Sequence, residues 1–449
     1  MPSTTLAYRA AIGLIWVLAL WHSWLCRGLF VDGSAFLLNI VRLEWFFDFY
    51  PPRLYAMIAA QVPIMTAITL GVTDLHQLGR LLSLGLFALP TFFYTLALVR
   101  ARNEPVLLAL VITAIGLVFM TTSFFIVGEY NTAYALTIAV AVWYATARRL
   151  TLQDGLFVAF AGILAIRTYE VFIYLGPLLA AMTLWQVWRL RPRPVLAVLL
   201  HLVAAAGFLA GMAVAANSVI HPYSEEHLAE TYFTALNFWQ DLQFDLAFIP
   251  VATVAIWALV RPQDLATIRP YRWALGCLAL LALSPLLVVA DTLVRPFAKS
   301  QYVARTVSGV IIATMVVFVW CYTAERLRGW RLRIVLQGEA ARRRLLGFAC
   351  IVFLAALPAD IFLSLSWDSF LKSFRHVVSS HSGIVAFEDT PLSRPPDLYM
   401  IENWTISTQS LILRSKPGDG IVVPPRGFSD WVPFPPDEPP NLGRFVWRD

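Results

Sequence analysis

The chain has 449 residues, of which 59% are apolar and only 14% charged, and its mean hydropathy is +0.68. That balance excludes an ordinary soluble globular protein and points to a polytopic membrane protein. The net charge of +6 is accounted for by basic loops between apolar runs, so no nucleic-acid partner is needed to explain it.

In hydrocarbon every backbone N–H and C=O must find a partner within the chain. Repeated uninterrupted runs of about 20 apolar residues therefore predict membrane helices and not a barrel, and the expected fold class is all-α. The opening "MPSTTLAYRAAIGLIWVLALWHSWLC" has a long apolar run and no small-x-small cleavage site, so it reads as an uncleaved first span. Basic clusters recur at Arg100 and Arg102, at Arg148 and Arg149, at Arg189, Arg191 and Arg193, at Arg261, Arg269 and Arg272, and from Arg326 to Arg344. By the positive-inside rule these are cytoplasmic loops. Counting "LYAMIAAQVPIMTAITL" (54–70) as a span would put Arg100 on the wrong side. The segment also carries Gln61 and Pro63, and it reads better as a helix on the outer surface. Residues 27–80 then form one long outer loop with interfacial helices, and eleven spans remain, near 7–26, 81–100, 105–125, 131–147, 154–167, 170–188, 194–219, 244–260, 273–293, 306–322 and 345–367. This threading suits a bacterial inner membrane, with the N-terminus cytoplasmic.

A membrane domain over 1–367 is thus followed by a small periplasmic segment, 368–449. That segment is rich in Pro, Asp, Ser and Trp. Its "SLILRS" and "GIVVPP" alternate like strands, and "PFPPDEPPNLG" cannot be helical. "NWT" at Asn403 matches a glycosylation sequon, a loose pattern of little weight in a bacterial chain. The four cysteines, Cys26, Cys277, Cys321 and Cys350, show no CxxC spacing and indicate neither a disulfide framework nor a zinc site.

Charge near a membrane is costly, so its placement is informative. Asp32, Glu129, Arg167 and Glu170 all fall at outer ends of different helices, where they can converge on one cavity, although interfacial charges also merely solvate loop ends. The acids lie at helix ends and not within spans. Arg295, Lys299 and Arg305 form an unusual basic trio on the outer side, suited to a phosphate or to anionic headgroups, and Arg53 and Arg80 of the first loop can join it. "HPYSEEH" (221–227) invites a metal reading, but its spacing is not that of a helical zinc motif. A loop lining an acceptor entrance is the better account of His221 and Glu225, with Tyr55 and Tyr130 as further substrate-contacting candidates. The aromatics Trp45 to Tyr50 suit an interfacial belt.

The order of these features resembles the glycosyltransferase C superfamily, most closely the branch of the aminoarabinose-to-lipid-A transferase and the bacterial dolichyl-phosphate-mannose-protein mannosyltransferase-like proteins. "FVDGSAF" stands where that branch opens its first outer loop with an acid. "YPPRLYAMIAAQVPIMTAI" and "GVTDLHQLGRLLS" then follow in the family's order, as do the basic end "LALVRAR" and the acid of "VGEYNTAYAL". "LTLQDGLFVAFAGILAIRTYEVFIYLGPLLAAMTLW" is similar to the family's glycine-containing helix pair, with Arg167 near the usual Lys. The resemblance covers roughly residues 1–190.

The resemblance implies a transferase that moves a sugar from a polyprenyl-phosphate donor to a lipid, glycan or protein acceptor, inverting the anomeric carbon. Asp32 would be the general base and Glu129 would orient the acceptor or share that work. Arg167, Arg295, Lys299, Arg305 and Arg80 would hold the phosphate, and Glu170 would line the substrate site. The departures are Gly33 in place of the second acid, Arg for Lys at 167 and Glu for Asp at 129. They leave the exact donor and any divalent-metal dependence open, and no cofactor is indicated. A transporter or flippase, a polysaccharide polymerase or ligase, and a noncatalytic protein of the same fold stay open as alternatives; a transporter would show repeat-related halves and charges inside its spans.

Overall fold

A computed structural model of the protein describes residues 4–48, 50–125, 129–191, 194–222, 236–287, 299–324, 335–425, 434 and 439–448. It is an all-α membrane protein. In chain order the helices are α1 (Thr4–Trp24), α2 (Asp32–Leu43), α3 (Leu54–Thr69), α4 (Leu75–Ala101), α5 (Pro105–Thr122), α6 (Tyr130–Thr146) and α7 (Leu152–Ala165). They continue with α8 (Phe172–Arg189), α9 (Val195–Ile220), α10 (Leu242–Val260), α11 (Arg269–Leu287), α12 (Arg305–Thr323), α13 (Glu339–Ser380) and α14 (Ile406–Leu413). Among the described residues seven of these, α1, α4, α5, α9, α10, α12 and α13, are long and apolar enough to cross a membrane, and α7 is a shorter apolar helix.

Burial patterns follow the sequence. In α1 the buried stripe Ala7, Ala11, Ile15, Leu18, Ala19 and His22 recurs every three or four residues, while Leu6, Val17, Leu20 and Trp24 are exposed on the other side. By contrast, every residue of α6 from Tyr130 to Tyr144 is buried, which makes it the central helix, packed by α4, α8 and α12. Glycines let α7 and α9 touch backbone to backbone. A Cβ added to Gly162 would lie 2.6 Å from the Ala204 carbonyl, and one on Gly207 would lie 2.4 Å from that of Gly162.

Three sequence expectations are corrected. The helix expected over 81–100 begins at Leu75, because Asp74 caps it by accepting from the His76 N–H at 3.0 Å. The tail boundary at Trp367 falls inside α13, which runs for 42 residues, about 63 Å. Past Trp367 its buried Phe370, Leu371, Phe374, Val377 and Val378 keep helical spacing, while Asp368 and Lys372 pair on its outer side. Finally "SLILRS" is helical over Ser410–Leu413 as the end of the fully buried α14. "GIVVPP" does contain a strand, β2 (Ile421–Val423), which pairs in parallel with β1 (Ile384–Ala386).

The tail folds back onto the first loop. Helix α14 packs on α2 and β2. The Leu75 N–H donates to the Val446 carbonyl at 2.9 Å, the Val446 N–H to the Thr73 carbonyl at 3.1 Å, and the His76 and Trp447 rings stack at 4.7 Å. Arg444 pairs with Glu44. Residues 27–80 and the C-terminal segment therefore sit at the same end of the bundle. Within the loop, the Gln61 amide exchanges two hydrogen bonds with the Phe47 backbone, at 2.8 and 2.9 Å, so its polar residue serves an internal tie.

Candidate active site

A short turn, Pro51–Arg53, leads into α3, and the Tyr55 N–H donates to the Arg167 carbonyl at 2.9 Å. This pins the start of α3 to the turn between α7 and α8, which carries Tyr169 and Glu170. Arg53 consequently reaches Glu170 with two prongs, Nε at 3.0 Å and Nη2 at 2.8 Å from Oε1. Its Nη1 lies 3.7 Å from Oε2 of Glu129, and the guanidinium sits 4.9 Å from the Tyr169 ring centre and 5.3 Å from that of Tyr50. One fixed cation thus gathers two carboxylates from separate helix ends.

Glu129 precedes α6 and is 6% exposed, and its Oε2 has no hydrogen-bond partner among the described residues. Burial pushes its carboxyl up to about 8; Arg53 pulls the other way, while Glu170 and Asp32 add to the rise. Asp32 is therefore close enough to Glu129 to act on its proton. It is the half-buried first residue of α2 and follows Val31, whose φ of +54° is a strained, left-handed value for a β-branched residue. Arg305 opens α12. Its guanidinium lies over the Tyr302 ring at 3.7 Å, its carbonyl accepts from the Tyr134 hydroxyl, and it shares an electrostatic field with Tyr169, Arg53 and Glu170.

The structure accordingly brings Asp32, Glu129, Glu170 and Arg305 together. Beside Glu129 and Thr132 opens a cavity whose other walls are Phe36, Met57, Leu82 and Leu86 together with Ala56, Ala60 and Gln61. It is a small, mostly apolar recess with the Glu129 carboxyl in its wall. Such an arrangement can hold an anion at Arg305 and position a hydroxyl against a carboxylate.

Other expected residues stand elsewhere. Arg167 contributes its carbonyl to the site, through Tyr55, and Tyr55 is held by that same backbone bond. Arg80 is committed to α1: its Nε donates to the Trp24 carbonyl at 3.1 Å and its guanidinium lies 3.7 Å from the Trp24 ring centre. Tyr130 is wholly buried and its hydroxyl donates to the Thr122 carbonyl at 2.6 Å, so it braces α5 against α6 instead of facing a substrate. His221 is exposed at the C-terminal end of α9. Arg295 and Glu225 lie outside the described residues, as does the side chain of Lys299. Among the described residues no three His, Cys, Asp or Glu are grouped to hold a metal ion.

Sequence reasoning gave Arg53 only a supporting part and missed a second charged cluster altogether. Arg27 and Asp360 are 0% and 1% exposed, and Arg27 Nη1 donates to Asp360 Oδ1 at 2.7 Å and to Ser364 Oγ at 2.9 Å. Arg27 Nη2 donates to Ser123 Oγ at 3.0 Å, and His22 Nε2 lies 2.8 Å from Asp360 Oδ2. The Phe124 ring covers the guanidinium at 4.4 Å. Asp360 corrects the expectation that acids lie only at helix ends. The visible signal was a single acid in the apolar run "AALPADIFLSL", which marks a paired or functional position by default.

No protein-family model, curated protein or solved structure matches the chain. Function has to be argued from the site itself.

Proposed function

We propose that this protein is an inner-membrane glycosyltransferase that moves a sugar from a polyprenyl-phosphate donor to a periplasmic-side lipid, glycan or protein acceptor. The observation that carries the reading is the gathering of Asp32, Glu129, Glu170, Arg53 and Arg305 at one end of the bundle beside an apolar cavity. The order of motifs over residues 1–190, with its likeness to the glycosyltransferase C superfamily, supports it. The eleven-span threading expected from the sequence supports it too, since this end would then face outside, where a lipid-linked donor presents its phosphate.

In the reaction the acceptor hydroxyl oxygen attacks the anomeric carbon as the bond from that carbon to the phosphate oxygen breaks. The phosphate leaves with the electron pair, the configuration inverts, and Asp32 takes the hydroxyl proton. Arg305 carries the charge that grows on the leaving phosphate. Glu129, whose carboxyl holds its proton at neutral pH, donates a hydrogen bond to the sugar or acceptor, while Arg53 and Glu170 fix its place. A transporter reading would draw on Asp360, but that charge is consumed by Arg27 and His22.

The test is transfer from a polyprenyl-phosphate sugar in membranes containing the protein. Asp32→Asn keeps the shape, removes the base and should lower the rate by about 10²-fold or more. Full activity in that variant would remove Asp32 from its role, and no transfer by the parent from any such donor would remove the reading.

A further inference from the structure

The residues between α1 and α2, Cys26 to Val31, form a turn held at almost every position. The Trp367 Nε1–H donates to the Cys26 carbonyl at 3.2 Å. Arg27 is bound by Asp360, Ser364 and Ser123. The Gly28 N–H donates to Ser83 Oγ at 3.0 Å, and a Cβ there would lie 2.8 Å from the Ser83 Cα, so the turn is seated directly on α4. Phe30 packs edge-on against Phe124 at 4.7 Å and Trp367 at 5.5 Å. Two of the turn's non-glycine residues, Cys26 and Val31, have positive φ, +51° and +54°. A backbone held in such conformations persists only where its surroundings over-determine it. Asp32 follows at once.

Resting on the reading of Asp32 as general base, we propose that Arg27 and Asp360 are positioning residues. Their buried ion pair, with Trp367, clamps the strained turn and so aims the Asp32 carboxylate at the acceptor. Its charges are spent on one another, on His22 and on two serines. It acts through the backbone and does not touch substrate. Removing one partner leaves a buried charge alone, which threatens folding, whereas replacing both by apolar residues of similar size need not. That difference makes the proposal testable.

The decisive variant is the full-length double substitution Arg27→Met with Asp360→Leu, reconstituted in nanodiscs beside the parent and each single variant. A merely structural pair predicts that a double variant with parental thermal stability also regains the parental rate. The clamp predicts instead that kcat stays at least about 10²-fold down while KM for the polyprenyl-phosphate sugar changes less than about 3-fold. It also predicts that backbone amides of residues 27–34 exchange with deuterium at least 10-fold faster, with those of α6 unchanged. Parental kcat in a stable double variant, or unchanged exchange over 27–34, would overturn the clamp. If the double variant is itself unstable, Trp367→Phe, which removes the bond to the Cys26 carbonyl and trims the ring that packs on Phe30, must show the same two effects in smaller measure, and parental values there overturn the clamp. If the parent transfers no sugar, the functional reading fails, while the exchange measurement still decides whether the pair orders the turn.

Discussion

Arg53 grips Glu170 through two donors that converge on Oε1, Nε at 3.0 Å and Nη2 at 2.8 Å, while the same guanidinium stands 3.7 Å from Glu129. Two carboxyl groups from different turns meet one cation, and the Tyr55 N–H to Arg167 carbonyl bond ties the start of α3 beside them. Arg53→Ala leaves Glu170 without its counter-charge and Glu129 without the cation beside it, and should lower transfer by about 10²-fold. Arg53→Lys restores charge but not the fork, and a loss of about 10-fold is expected. Initial rates in membrane vesicles, normalised to folded protein, measure both; equal rates in Lys and Ala variants would show that the fork is irrelevant.

Glu129 gives the site a pH signature. Burial raises its carboxyl from 4.5 to about 8, so the folded protein holds this proton more tightly than the unfolded chain does. Stability from this source is complete below about pH 4.5, falls as pH rises and is lost beyond about pH 8. Glu129→Gln has no proton to lose. It should melt less pH-dependently than the parent between pH 5 and pH 9, and its kcat should lack the alkaline fall centred near the raised value. Superimposable pH profiles for parent and variant would contradict this assignment.

The α3–α4 contact is tight enough to predict a stability change away from the charges. A Cβ on Gly85 would lie 1.7 Å from the Ala60 carbonyl, so Gly85→Ala must push α3 off α4 beside the apolar cavity. A loss of about 1–3 kcal/mol is expected, read from thermal unfolding in detergent. Gly276→Ala, with nothing within 4 Å of the added carbon, is the matched control and should not lower stability.

Topology has its own check. The bonds between Thr73 or Leu75 and Val446 put the chain's end beside the first loop. Reporters fused after Ala67 and after Arg448 should give the same periplasmic signal. A cytoplasmic signal after Ala67 would make α3 a span and break the eleven-span threading.

How much of this the sequence revealed depended on whether the information was local. Helix α6, expected over 131–147 and found over Tyr130–Thr146, is a run without a charged residue and was easy to read. The end of α13 was not, because hydropathy falls at Asp368 and Lys372 while the buried stripe through Phe374 and Val378 keeps its period. Asp32, Glu129 and Glu170 were legible as acids at helix ends. Arg53 was underrated, since nothing local shows that the Tyr55 bond turns it toward Glu170. The Arg27–Asp360 pair was out of reach of local pattern, its members lying 333 residues apart.

That separation bears on how the protein is made. Arg27 enters the membrane region with the first helix, yet the carboxylate that neutralises it arrives only with α13, after the other long apolar helices have been synthesised. Until then an arginine waits without its partner in an unfinished bundle, and the turn before Asp32 lacks the ties that α13 supplies through Asp360, Ser364 and Trp367. On the proposed clamp, ordering of the turn before Asp32 is thereby tied to completion of α13. Late closure of this kind separates insertion from that ordering in time.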